Sequence, residues 1–259
     1  MSNTLLLLSG NDIPFPEARL TIHQPTLKEI SYIGEEAFFI GCGFLDFSKN
    51  LLGDKDKVRL EHLNDFDIFM SIILHITEET KKSVECAFLM LSLIFPLYNI
   101  SVRDNVIILE KDNEEFQINR NNFSAFKKNL SEMFDLHLME RETEKYNPAG
   151  TMAQRIAEKF KKRQRELDKI ARNGEEEKSI TILSRYVSIL AVGNHKDLND
   201  LMQYTVFQLY DEFQRYQAKM QWDTYIQARM AGAEDLDEVD NWMIDLRNQG
   251  NKNKTKIKK

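Results

Sequence analysis

The sequence predicts a mainly α protein, with one small antiparallel β-meander in its N-terminal part and an all-helical C-terminal part. Three observations lead there. Apolar residues recur at spacings of three and four through most of the chain, as expected for helices that bury one face. The period changes once, in NISVRDNVIILEKDNEEFQINR (99–120), where β-branched runs are separated by Arg-Asp-Asn and Asp-Asn-Glu. And MQYTVFQLYDEFQRYQAKMQWDTYIQARMAGA (202–233) contains no proline and a single glycine near its end, so it reads as a long helix.

The elements follow in order. MSNTLLLLSG opens the chain with four leucines and no basic region, too short for a signal peptide. ARLTIH (18–23) reads as a short strand that Pro25 ends. Thr26 then caps a helix, QPTLKEISYIGEEAFFIGCGFL (24–45), and Glu29 three residues on completes a capping box. FDIFMSIILHI (66–76) and residues 80–95 read as two further helices. The most apolar run, 83–100, carries Glu85 and Pro96. It falls short of the roughly 20 apolar residues of a membrane span, so it is a buried helix. After the meander, Phe123, Phe126, Leu130, Met133 and Phe134 share one helix face.

The polar stretch 139–150 ends in Asn-Pro-Ala-Gly and reads as a boundary. The expected organisation is a helical domain with the meander over 1–140, a linker over 141–150 and a helical domain over 151–247. The last contains helices near 151–172, 179–192, 197–231 and 238–247. The basic end, 248–259, has almost nothing to bury and is expected to be a disordered tail.

The chemistry-bearing residues form no recognisable set. Apolar residues make up 42% and charged residues 29%, the balance of a globular protein, and the net charge of −6 argues against a dedicated nucleic-acid binder. Two lone cysteines, Cys42 and Cys86, make no disulfide framework or zinc set and suit a reducing cytoplasm. His23, His62, His75, His137 and His195 stand far apart, none with a second ligand at metal spacing. No phosphate-binding glycine loop and no nucleophile elbow occur. AEDLDEVD (233–240) is acidic like a calcium loop but lacks the turning glycine, and Leu246 stands where a bidentate Glu belongs. The expectation is a non-enzymatic protein without cofactors or metal.

Two surfaces remain to weigh. On the long helix, Met202, Val206, Leu209, Phe213, Tyr216 and Met220 form a seam that reads as core. Tyr204, Phe207, Trp222 and Tyr225 cluster about a second direction. Either the helix is buried on both sides, or this second face meets a partner, because aromatics with polar tips are favoured at interfaces. Trp242, further along, joins these as a candidate partner-binding residue. RIAEKFKKRQRELDKIAR (155–172) sets eight basic residues against three acidic ones, with Ile156, Phe160, Leu167 and Ile170 on an apolar side. A solvated face is the simpler reading. A contact with an acidic segment or nucleic acid is the sharper one, through Arg155, Lys159, Lys162, Arg163 and Arg165.

Three stretches carry a family resemblance: LTIHQPTLKEISYIGEEAFF, INRNNFSAFKKNLSEMF, and the run from SITILSRYVSILAVG to NWM. They resemble tail assembly chaperones of bacteriophages that infect Gram-positive bacteria, over nearly the whole chain and most strongly from Ser179 to Met243. The resemblance carries no catalytic residue. It implies binding to the tape measure protein while tail-tube subunits polymerise around it, in the host cytoplasm, followed by departure from the finished tail. It also implies short and frameshifted long forms, of which this chain is one. Self-association is left open, no membrane partner is expected, and a permanent tail or baseplate component is the competing reading.

Overall fold

The computed structural model describes residues 4–46, 62–135, 182–233, 239 and 241–243. The chain is mainly helical, with small antiparallel sheets confined to the N-terminal part. A short helix α1 (Thr4–Ser9) precedes a hairpin of β1 (Ile13–Phe15) and β2 (Leu20–Ile22). Only β2 was expected. Ile13, Phe15, Leu20 and Ile22 all face inward, and the one-turn 3-10 segment Pro16–Ala18 joins the strands through Arg19 in the left-handed region.

Thr26 begins α2 (Leu27–Ile33) with the expected capping box: its side chain accepts from the Glu29 N–H, and Glu29 accepts from the Thr26 N–H at 2.7 Å. The helix does not run on to 45. Gly34, at φ 84°, ends α2 and starts α3 (Glu35–Leu45), a corner that a side chain would strain. α4 (Asp65–Leu74) and α5 (Glu78–Ile94) follow, each started by its own capping box at Asn64 and Thr77. α3 and α5 pack closely at Gly41, where a Cβ would stand 2.6 Å from the Cys86 carbonyl oxygen.

The meander forms as read: β3 (Asn99–Arg103), β4 (Val106–Lys111) and β5 (Glu114–Ile118) pair antiparallel in that order. Each turn is an Asp-Asn pair, Asp104-Asn105 and Asp112-Asn113, with all four residues at positive φ. This two-residue turn matches the twist of the strands, and Asn and Asp tolerate it better than most residues. α6 (Phe123–Phe134) buries the five residues predicted for its inner face. Phe126 stacks on Phe95 and meets Phe15 at a tilt, so the hairpin, the end of α5 and α6 share one aromatic cluster.

Beyond it lie α7 (Ile182–Gly193), α8 (Leu198–Met202) and α9 (Val206–Met230). The helix expected over 197–231 is thus two helices. Thr205 breaks it by capping α9 in a box with Gln208, which satisfies first-turn N–H groups that a continuous helix would have bonded internally. The linker at 141–150, the helix at 151–172 and the tail at 248–259 lie outside the described residues.

One core extends from Leu7 to Phe213, on both sides of the expected boundary. Two N-caps join the halves: Thr26 and Thr205 form an antiparallel bridge, and the Leu27 N–H donates to the Tyr204 carbonyl at 2.8 Å. Gln208 also donates to the Leu8 carbonyl at 2.8 Å, tying α1 to α9.

Candidate protein-interaction site

The site is built on α9, whose 25 residues extend about 37 Å. Its first two turns are core: Val206, Phe207, Leu209, Tyr210 and Phe213 are buried, and Tyr186 of α7 stacks on Phe213 with centroids 3.8 Å apart. Phe207 is therefore no partner anchor. At 1% exposure it is packed inside the protein, because α1 and α6 cover the side of the helix that α7 leaves open.

Tyr204 is also committed internally. Lys196, in the loop between α7 and α8, donates to the Tyr204 hydroxyl and to Glu212 at 2.7 Å, while its ammonium lies 5.0 Å from the Tyr204 ring centre. Asn194 donates to the other Glu212 oxygen at 2.8 Å. Desolvation pushes the Glu212 pKa up, but the hydrogen bonds from Lys196, Asn194 and Tyr204 outweigh it and hold the carboxyl below its ordinary range. For Lys196 desolvation works downward, and the bonds to Glu212 and Tyr204 raise its pKa on balance. This network pins the α7–α8 loop to α9 at Glu212, one residue before the last buried side chain of the helix.

After Phe213 no residue of α9 is buried. The inward arc, continued at helical spacing, meets Gln217, Met220, Gln221 and Thr224, all exposed. The expected seam therefore ends early: Tyr216 is half-buried and Met220 is 47% exposed. A different stripe begins there. Ala218, Trp222, Tyr225 and Ile226 are half-buried and prolong the flank of the helix on which Phe207 lies, about a quarter to half a turn from the centre of the inward arc. Trp222 and Tyr225 are 5.9 Å apart between centroids, and the Arg229 guanidinium lies 6.0 Å from the Tyr225 ring. Met230, beyond them, is 84% exposed. Asp211–Arg215 and Lys219–Asp223 ion pairs at i,i+4 line the helix and support it in water.

Of the candidate residues, Trp222 and Tyr225 stand together on this distal half, and Trp242 is half-buried further on. Arg155, Lys159, Lys162, Arg163 and Arg165 lie outside the described residues. The sequence reading missed Ile226, Arg229 and Met230, which continue the stripe at helical spacing and were legible in principle. It also missed a groove of about 360 Å³ between the α2–α3 corner and the α7–α8 pair, lined by Leu27, Ile30, Glu35, Leu183, Val187 and Met202. No periodicity could reveal that groove, because its walls come from opposite ends of the chain.

Among the described residues, no group of three or more His, Cys, Asp or Glu is arranged to hold a metal ion. No helix of the described residues is long and apolar enough to cross a membrane. Burial pushes the Cys42 thiol pKa well up, with Asp46 adding to the rise, which disfavours a reactive thiolate there.

Residues 175–246 match the family model of the YomV second domain, a phage-associated family. The matched stretch contains α7, α8 and α9, and hence the whole distal stripe. Comparison with curated proteins and with solved structures gave no match.

Proposed function

We propose that the chain is a tail assembly chaperone of a bacteriophage, a non-enzymatic protein of the host cytoplasm that holds the tape measure protein while the tail tube is built around it. The observation that carries this reading is the distal half of α9. An apolar stripe of Trp222, Tyr225 and Ile226 continues a helix whose first two turns are fixed in the core, and no residue of its distal part is buried. A firmly held helix presenting a half-covered apolar stripe suits helix-on-helix binding, in which an amphipathic partner covers the stripe. The phage-associated match over the same helices and the resemblance to tail chaperones support it. A tape measure protein presents long apolar helical surface before it is enclosed, and that surface is what such a stripe would shield.

Co-expression of a tagged chain with the tape measure protein of its phage tests this reading. The two should co-purify, and Trp222→Ala with Tyr225→Ala should remove the partner while the chaperone stays folded. Interface anchors of this kind contribute roughly 2–4 kcal/mol, so the loss should be thirtyfold or more. Mass spectrometry of purified virions should find the chain absent or far below stoichiometric amounts. Stoichiometric presence would instead establish a permanent tail or baseplate component.

A further inference from the structure

We infer that the groove between α2 and α7 docks a basic amphipathic segment of a partner protein. An apolar side chain would seat against Leu27, Ile30, Val187 and Met202, and a neighbouring Lys or Arg would pair with Glu35. Glu35 is the one charged residue among the described lining residues. Its Oε1 accepts from both the Ser184 N–H and the Ser184 hydroxyl, so it caps the start of α7 from a helix 149 residues earlier in the chain. Its Oε2 is withdrawn from water and has no donor among the described residues. Other acidic helix-start residues are matched differently: Glu36 pairs with Lys82, Asp65 with Lys127 and Asp67 with Arg120. Glu35 alone of these has no cation beside it among the described residues.

A half-satisfied carboxylate against apolar walls attracts a cation more strongly than one in open solvent, since the surroundings screen it less. The last torsion of Glu is broad, so the carboxylate can swing an oxygen toward an arriving cation. Gly34 contributes no side chain to close the mouth, and Met202 is a flexible thioether able to mould around an apolar guest. The volume of about 360 Å³ accommodates one or two large apolar side chains. An acidic segment would set its charge against Glu35, and the chain's net charge of −6 further favours a basic partner. The groove shares no residue with the distal stripe of α9, so its occupant need not be the tape measure protein.

The test uses the full chain and two fluorescein-labelled synthetic helices of about 18 residues with the same leucine pattern, one carrying lysines and the other glutamates. Binding is read by fluorescence polarisation at physiological salt. The Leu/Lys peptide should bind saturably at one site and the Leu/Glu peptide should not. Two variants probe the groove separately. Glu35→Gln removes the charge but keeps an amide oxygen for Ser184, and Ser31→Trp, at an exposed lining position, fills the groove. Each should weaken the Leu/Lys peptide at least about tenfold with a wild-type melting temperature. Equal binding of the two peptides overturns the inference. So does unchanged binding in either folded variant, since the effect would then arise elsewhere on an acidic surface. Should Glu35→Gln fail to fold, Ser31→Trp and the peptide pair decide the question alone.

Discussion

The proximal eight residues of α9 and the seventeen that follow have opposite fates. From Val206 to Phe213 the helix is a core element, packed against α7 on one side and against α1 and α6 on the others. From Gln214 to Met230 none of its residues is buried, although Tyr216, Trp222, Tyr225 and Ile226 are large side chains with apolar bodies. Helical propensity does not distinguish the two parts, but the inward arc does: Val206, Leu209, Tyr210 and Phe213 give way to Gln217, Gln221 and Thr224. Supply differs as well: α1, α6 and α7 pack against the helix, and its last core contact is the half-buried Tyr216. An apolar helix face becomes core only where another element arrives to cover it.

The largest effect should come from the proximal half. Phe207→Ala should cost about 3–5 kcal/mol in chemical denaturation, the range for emptying a closed aromatic site. A cost under about 1 kcal/mol would place Phe207 back on the surface and erase the contrast. Gly193→Ala probes the transition between halves, since its Cβ would stand 2.4 Å from the Tyr216 ring. The ring is half-buried and has room to give, so about 1–3 kcal/mol is expected.

Glu212→Gln tests the polar network that marks the boundary. It should cost about 1–2 kcal/mol near neutral pH, because charge-assisted bonds from Lys196 weaken while the shape is kept. The sign of its pH dependence is fixed by the depressed folded pKa of Glu212. The stabilisation is complete above the ordinary carboxylate value of 4.5 and is lost as pH falls through the folded value. Melting curves of wild type and variant should therefore converge in acid below that value, and a gap that widens there would refute the assignment.

The smallest effect belongs to the distal half. Trp222→Ala with Tyr225→Ala should change stability by less than about 1 kcal/mol, because both rings are half-buried and lie beyond the packed core. Hydrogen exchange sharpens the same contrast: amides from Gln214 onward should exchange well before those of 209–213, which open only with the core. Equal protection along the whole helix would show that the distal stripe is covered in solution.

Much of the fold was legible. The capping box at Thr26, the Asp-Asn turns of the meander and the inner face of α6 follow from local chemistry, and the structure has all three. The break at Thr205 was legible too, since Thr205 and Gln208 stand at capping-box spacing; the length of the apolar pattern masked it. The candidate surface was only half legible. Trp222 and Tyr225 belong to a half-buried stripe, whereas Phe207, on the same helical face, is core and Tyr204 is held by Lys196.

By itself, then, the sequence determined what is decided within a few residues: where helices start and stop, which turns reverse the strands, and which side chains share a face. Those choices depend on backbone sterics, capping hydrogen bonds and periodicity, all local. Tertiary structure alone decided which apolar faces are covered, that Thr26 and Thr205 bridge across the molecule, and that Glu35 caps a helix 149 residues away. These are contacts between distant segments. A hydrophobic face carries the same local signature whether another element or a partner protein covers it, because burial is a property of what arrives.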